Sequence, residues 1–126
     1  MTAAFRTVQN LEVQRTKDTT IRYTASGPAG GPTLVLIHGW ACNRSDFDAV
    51  TGFLPANYRV LAIDLAEHGE SRSSRDVWTM AEFAQDVAAV LAADYMDSYI
   101  VVGHSLRGAV AVEVARLLPE LVTQVV

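Results

Sequence analysis

Three short apolar runs, each rich in β-branched residues, are the feature that most constrains the fold of this chain. They are Thr33–Ile37, Tyr58–Ile63 and Tyr99–Val102. Runs of this length without polar alternation are typical of strands buried on both faces of a sheet. Helical patterns separate the runs, and strands that alternate with helices form parallel βαβ units. We therefore predict an α/β fold, a three-layer sandwich with a mostly parallel sheet and helices on both faces.

The remaining segments fit around these strands. Leu11–Gln14 and Thr19–Ala25 alternate apolar and polar residues on either side of Lys17-Asp18, which predicts a hairpin. The capping box Thr79-x-x-Glu82 begins a helix with an apolar stripe at helical spacing. The other predicted elements are a short helix at Ser45–Leu54, a polar loop at Asp64–Ser74, a helix from about Leu106 to Leu118 and the beginning of a strand at Leu121–Val126.

Composition limits the class of protein further. The 126 residues, 50% apolar and 19% charged, are typical of one globular domain over residues 1–126. A net charge of −4 argues against nucleic-acid binding, which needs a basic surface. The single cysteine, Cys42, leaves no internal disulfide and no thiolate cluster, and we expect neither metal nor cofactor. The sequence has no apolar run of about 20 residues and no signal-peptide pattern, so we expect a cytoplasmic protein that does not bind membranes.

Polar, glycine-rich segments follow the three predicted parallel strands. They are His38-Gly39-Trp40, the segment from Asp64 to Ser71, and Gly103-His104-Ser105-Leu106. Ligands bind at the carboxyl ends of strands in such sheets. Ser105 lies between a buried strand and a helix, as in a nucleophile elbow, where a sharp turn exposes the serine hydroxyl. A serine at this position is also a common helix N-cap, so both interpretations are open at this point.

Three motifs together resemble the α/β-hydrolase family, and the resemblance covers essentially the whole chain. They are IHGW (37–40), DLAEHGES (64–71) and VGHSLRG (102–108). The resemblance implies a half-length, truncated α/β-hydrolase-like core and a carboxylic-ester-type serine hydrolase that acts on a small ester-like substrate. It also implies that Ser105 is the nucleophile and that the backbone amides of Trp40 and Leu106 form the oxyanion hole.

The sequence departs from the family pattern at three points. The family places its acid and its catalytic histidine after the nucleophile, whereas Ser105 is followed by no histidine and by only two acids, Glu113 and Glu120. Arg107 and Glu67 each occupy a position where the family usually has glycine. An arginine in the first turn of a helix can extend its charged end to solvent, and we expect this of Arg107.

Helical spacing from Arg107 defines one apolar face of the last predicted helix. This face consists of Val110, Ala111, Val114 and Leu118, and Glu113 and Arg116 mark the polar side. An unpaired guanidinium in the middle of the apolar face would be costly, because a buried charge loses its hydration.

The base that activates Ser105 must then come from an unusual place. The strands that end before His38, Asp64 and Ser105 are neighbours in the family's strand order, so an Asp64–His38–Ser105 relay is one candidate. A partner chain is another source of the base. Each relay residue also has a structural interpretation, His38 in organising its loop and Asp64 in bracing its loop through backbone hydrogen bonds.

Two further functions and one assembly follow from the same sequence. The chain is alternatively a non-catalytic, self-associating fragment of a hydrolase, or a cofactor-free dioxygenase on the same scaffold. An exposed sheet edge near Tyr99–Val102 or Leu121–Val126 would recruit another chain. We therefore expect a homo-oligomer, most simply a two-fold dimer that pairs the Val122–Val126 strands.

Overall fold

A computed structural model describes residues 8–17, 19–28, 32–37, 57–64, 72–73, 80–94, 96, 98–103 and 108–126. In chain order its elements are β1 Val8–Thr16, β2 Thr19–Ser26, β3 Thr33–Ile37, β4 Arg59–Ile63, β5 Arg72–Ser73, α1 Met80–Asp94, β6 Tyr99–Gly103, α2 Gly108–Leu117 and β7 Val122–Val125.

The described strands form one mixed sheet. Strands β4, β3, β6 and β7 lie side by side in that order and run parallel. The antiparallel hairpin β1–β2 extends the sheet beyond β4, as the alternating pattern predicts. The chain leaves the hairpin at Gly27, whose φ of 91° lies in the left-handed region that favours glycine. The predicted α/β fold is confirmed. The predicted strands after the hairpin are also present, as β3, β4, β6 and β7.

The predicted polar loop at Asp64–Ser74 is wrong at Arg72 and Ser73. These two residues form β5 and pair antiparallel with Thr20 and Thr19 of β2. Strand β4 pairs with only the second half of β2, so the first half extends beyond the end of β4. Two residues of any polarity can satisfy backbone groups there, because the ladder uses main-chain atoms and not side chains.

Helices α1 and α2 contact each other and pack on the same face of the sheet. The predicted stripe of α1 is buried at Phe83, Ala84, Val87, Val90 and Leu91, and that of α2 at Val110, Ala111 and Val114. These residues form the core together with alternate side chains of the strands. Thr79 and the helix predicted at Ser45–Leu54 lie outside the described residues. No helix in the described part of the chain is both long and apolar enough to span a bilayer.

An ion-pair cluster joins the hairpin to α1. Arg15 of β1 donates to Glu82 at 3.0 Å, and its Nε lies 3.1 Å from a carboxylate oxygen of Asp86. Asp86 is fully buried. A buried carboxylate is tolerated only when it is paired or hydrogen-bonded, so Arg15 fixes where α1 lies against β1.

A second cluster fixes the other end of α1 at the amino ends of the parallel strands. Arg59, the first residue of β4, forms a two-bond ion pair with Asp94, the last residue of α1. The hydroxyl of Tyr99, the first residue of β6, donates to the same carboxylate at 3.0 Å. The Met96 amide in turn donates to that hydroxyl at 2.9 Å. Burial raises the pKa of Tyr99 to about 12.

Candidate functional site

The candidate site lies where three parallel strands end at the same level. In the β3–β4 register Ile37 is paired with Ile63, and in the β3–β6 register the same Ile37 is paired with Gly103. Neighbouring strands are about 4.8 Å apart, so the segments that follow these strands begin within roughly 10 Å of one another. The expectation that these three strands are neighbours is confirmed.

Of the predicted site residues, Asp64 is within the described part of the chain. Ser105, His38, Trp40 and Leu106 lie outside it, so their roles stay predictions. The same holds for the two departures from the family pattern, Arg107 and Glu67, and for Cys42. The level ends of β3, β4 and β6 are therefore the geometry on which the site is built.

Asp64 is the first residue after β4 and is buried, with 1% of its surface exposed. Its backbone N–H donates to the carbonyl of Arg22 at 3.0 Å, so the antiparallel ladder with β2 continues one residue beyond β4. A carboxylate in this environment is costly unless hydrogen bonds or opposite charges compensate it. Asp64 is therefore held at the buried edge of the sheet, where its backbone continues the ladder with β2.

Three charged residues, Glu12, Arg22 and Asp64, lie side by side across β1, β2 and the end of β4. Glu12 is paired with Arg22 across β1 and β2, and the Asp64–Arg22 hydrogen bond places Arg22 opposite Asp64. The Arg22 Nε lies 3.4 Å from Glu12 Oε2. Strand alternation puts this row on the sheet face opposite the core that α1 and α2 cover, because the neighbours Ile21 and Tyr23 belong to that core.

Sequence reasoning missed Arg22 as a neighbour of the site. The available signal was its place in β2, where Arg22 is a polar residue between the apolar Ile21 and Tyr23. That alternation predicts which face of the sheet Arg22 lies on. It does not predict which strand lies beside β2, because tertiary pairing sets the strand order. Among the described residues, no group of three or more His, Cys, Asp or Glu side chains is arranged to hold a metal ion.

The comparison with known families agrees with this arrangement. The model of the "Alpha/beta hydrolase family" matches residues 34–126, from β3 through all the later described elements. The chain belongs to the α/β-hydrolase family. Family membership accounts for the strand order and for the three motifs after β3, β4 and β6.

This α/β-hydrolase chain is similar to proteins whose names describe hydrolase-like or ester-directed enzymes. A serine hydrolase-like protein of Danio rerio is 34% identical over 102 residues, which cover 79% of this chain and 31% of that protein. A bifunctional esterase/perhydrolase of Acinetobacter calcoaceticus is 39% identical over 98 residues, covering 76% of this chain and 36% of that protein. The structure of Est816, an N-acyl homoserine lactone degrading enzyme, superposes with a TM-score of 0.81 at 28% identity, covering 91% of this chain and 43% of that one.

The α/β-hydrolase chain spans about a third of the length of these two curated relatives. The part that it covers is the N-terminal portion of the fold.

Proposed function

We propose that this chain supplies the nucleophile half of a carboxylic-ester-type serine hydrolase, with Ser105 as the nucleophile. The observation that carries the proposal is the level ends of β3, β4 and β6, because the three motif-bearing segments begin there. Two similar proteins are named as an esterase/perhydrolase and as an enzyme that degrades a lactone, which is a cyclic ester. These names support a small ester-like substrate.

In the proposed reaction the Ser105 hydroxyl attacks the ester carbonyl carbon and gives its proton to a base. The backbone amides of Trp40 and Leu106 donate to the oxyanion of the tetrahedral intermediate. The intermediate collapses, the alcohol leaves with the proton, and an acyl-enzyme ester on Ser105 is left. Water then attacks this ester with help from the same base, which releases the acid and restores the hydroxyl.

His38 is the base in this proposal, and Asp64 supports it. His38 follows β3, the strand between β4 and β6. Asp64 is buried at the end of β4 and is therefore shielded from water. A shielded carboxylate is suited to orienting an imidazole. A base from a partner chain would give the same products, and His38→Ala separates the two sources. A His38→Ala variant that keeps full esterase activity would overturn the relay.

The test of the nucleophile is covalent labelling with a fluorophosphonate probe, followed by intact mass measurement. We expect one adduct on the wild-type protein, its loss in Ser105→Ala, and its retention in Ser98→Ala. Ser98 is a suitable control because it is an exposed serine immediately before β6. Absence of an adduct on folded wild-type protein would overturn the proposal and leave a non-catalytic, self-associating role. Oxygen consumption with an aromatic heterocyclic substrate would instead identify a dioxygenase.

A further inference from the structure

We infer that β5 is a positioning element of the site, and this inference rests on the function proposed above. The DLAEHGES segment (64–71) lies between two points of attachment to β2. At its start the Asp64 N–H donates to the Arg22 carbonyl at 3.0 Å. Directly after its end, Arg72 of β5 pairs antiparallel with Thr20. The segment that carries the second motif of the site therefore leaves β2 and returns to it.

The two attachments leave this segment little conformational freedom. Arg22 and Thr20 are two positions apart in one strand, so the ends of the segment are about 7 Å apart along β2. A chain of this length could reach about 27 Å from Asp64 if Arg72 were free. Fixing both ends removes most of these conformations before substrate binds, so their entropy is not lost during the reaction.

The position of β2 in the sheet makes this attachment relevant to the proposed reaction. Asp64 follows Ile63, which lies level with Ile37 and Gly103 at the carboxyl ends of the parallel strands. Strand β2 lies on the side of β4 away from β3 and β6. Pairing of β5 with β2 therefore returns the chain on the side away from the segment that contains Ser105. Without β5 the chain after Asp64 would be free to cross the ends of β3 and β6.

Strand alternation identifies which residue of β5 makes the attachment. The Arg22 carbonyl faces the β4 side of β2, so the backbone groups of Thr20, two residues earlier, face the same side. Thr20–Arg72 is therefore the hydrogen-bonded pair, and Thr19–Ser73 is the non-hydrogen-bonded pair beside it. A proline at position 72 removes a donor to β2, whereas a proline at position 73 removes an N–H that points away from β2.

The experiment compares wild type with Arg72→Pro, Arg72→Ala and Ser73→Pro. The second-order rate of fluorophosphonate labelling at Ser105 and kcat/KM for a p-nitrophenyl ester are measured. We expect Arg72→Pro to lower both about threefold to tenfold, because the loss of one net hydrogen bond reduces the fraction of molecules with the segment in place. Arg72→Ala keeps the N–H and should recover most of the rate, and Ser73→Pro should stay within about twofold of wild type.

A second readout, amide hydrogen exchange, does not need turnover. The Thr20 N–H should exchange faster in Arg72→Pro and stay protected in Ser73→Pro, and the Asp64 N–H should stay protected in both. Equal exchange or equal labelling in the two proline variants, or an alanine variant as slow as Arg72→Pro, would overturn the inference. If wild type itself forms no Ser105 adduct, the proposed function fails, and the exchange rates still decide whether β5 holds the segment to β2.

Discussion

Asp94 lies at the carboxyl end of α1, where a negative charge opposes the helix dipole, and its side chain is almost fully buried. Arg59 compensates it with two hydrogen bonds. We predict that Arg59→Met destabilises the protein by about 3–5 kcal/mol, since it leaves an uncompensated buried carboxylate. The measurement is urea unfolding.

The matched comparison for this prediction is the exposed pair Glu113–Arg116 on α2. There the Arg116 guanidinium lowers the pKa of the Glu113 carboxyl, yet both charges are solvated. Glu113→Gln should leave the unfolding midpoint unchanged. The double variant Arg59→Met/Asp94→Leu should regain much of the loss, and a double variant as unstable as Arg59→Met alone would contradict the explanation by unpaired charge.

Tyr99 gives a prediction at high pH. Burial raises its pKa from 10.0 to about 12, so the folded protein holds the phenol proton more tightly than the unfolded chain does. This contribution to stability is complete below pH 10 and is lost as pH rises through 12, about 3 kcal/mol in all. Burial also raises the pKa of Tyr23, which acts in the same direction. Denaturant unfolding of wild type and Tyr99→Phe should therefore converge between pH 10 and 12, and parallel curves would refute this role.

At the scale of elements, α2 separates a packing face from a solvent face within a few residues. Val114 is fully buried against the core, whereas Val112 is 60% exposed. We predict that Val114→Ala costs about 1–3 kcal/mol, because it removes two methyl groups and leaves a cavity. Val112→Ala should be neutral or slightly stabilising, since alanine has the higher helix propensity. Chemical denaturation of both variants tests the helix orientation, and equal losses would contradict it.

The helix and strand patterns could be predicted because each is local. The alternation of the hairpin, the apolar runs of β3, β4 and β6 and the stripe of α1 all give their elements to within three residues, and β1 is the least exact because it begins at Val8 and not at Leu11. Strand β5 and the Arg59–Asp94–Tyr99 cluster could not be predicted in this way. The cluster joins residues 35 positions apart, and β5 depends on a free length of β2, so both are consequences of tertiary pairing.

The same distinction applies to the candidate site. The motifs after β3, β4 and β6 could be located because polar, glycine-rich segments stand out after apolar strands. Their common level at the sheet edge follows from the register, which pairs Ile37 with both Ile63 and Gly103. Arg22 comes from a different part of the chain, and only the order β2-β4-β3 brings it beside Asp64.

At the scale of the whole molecule, stabilising contacts lie at the amino ends of the parallel strands, and the candidate site lies at their carboxyl ends. The amino ends are closed by the ion pair of Arg59 and the hydroxyl of Tyr99, far from the level carboxyl ends. A five-residue strand is about 13 Å between its terminal Cα atoms, so stabilising charges and candidate site residues are well separated. Substitutions at the two edges should consequently have nearly additive effects on stability.

Self-association stays a prediction, and β7 is the strand on which it can be tested. Strand β7 lies at one edge of the described sheet, and Val125 is 38% exposed there. The strand VTQV carries no charge, so a second copy can pair with it about a two-fold axis without like-charge repulsion. We predict that the protein is a dimer at micromolar concentration and that Val125→Lys weakens the dimer at least about tenfold, because a charged side chain on an edge strand opposes pairing with another strand. Sedimentation velocity measures this, with Val112→Lys as the control for an added charge at an exposed valine on α2. A wild-type monomer at micromolar concentration, or equal weakening by both lysines, would show that β7 does not pair with its own copy.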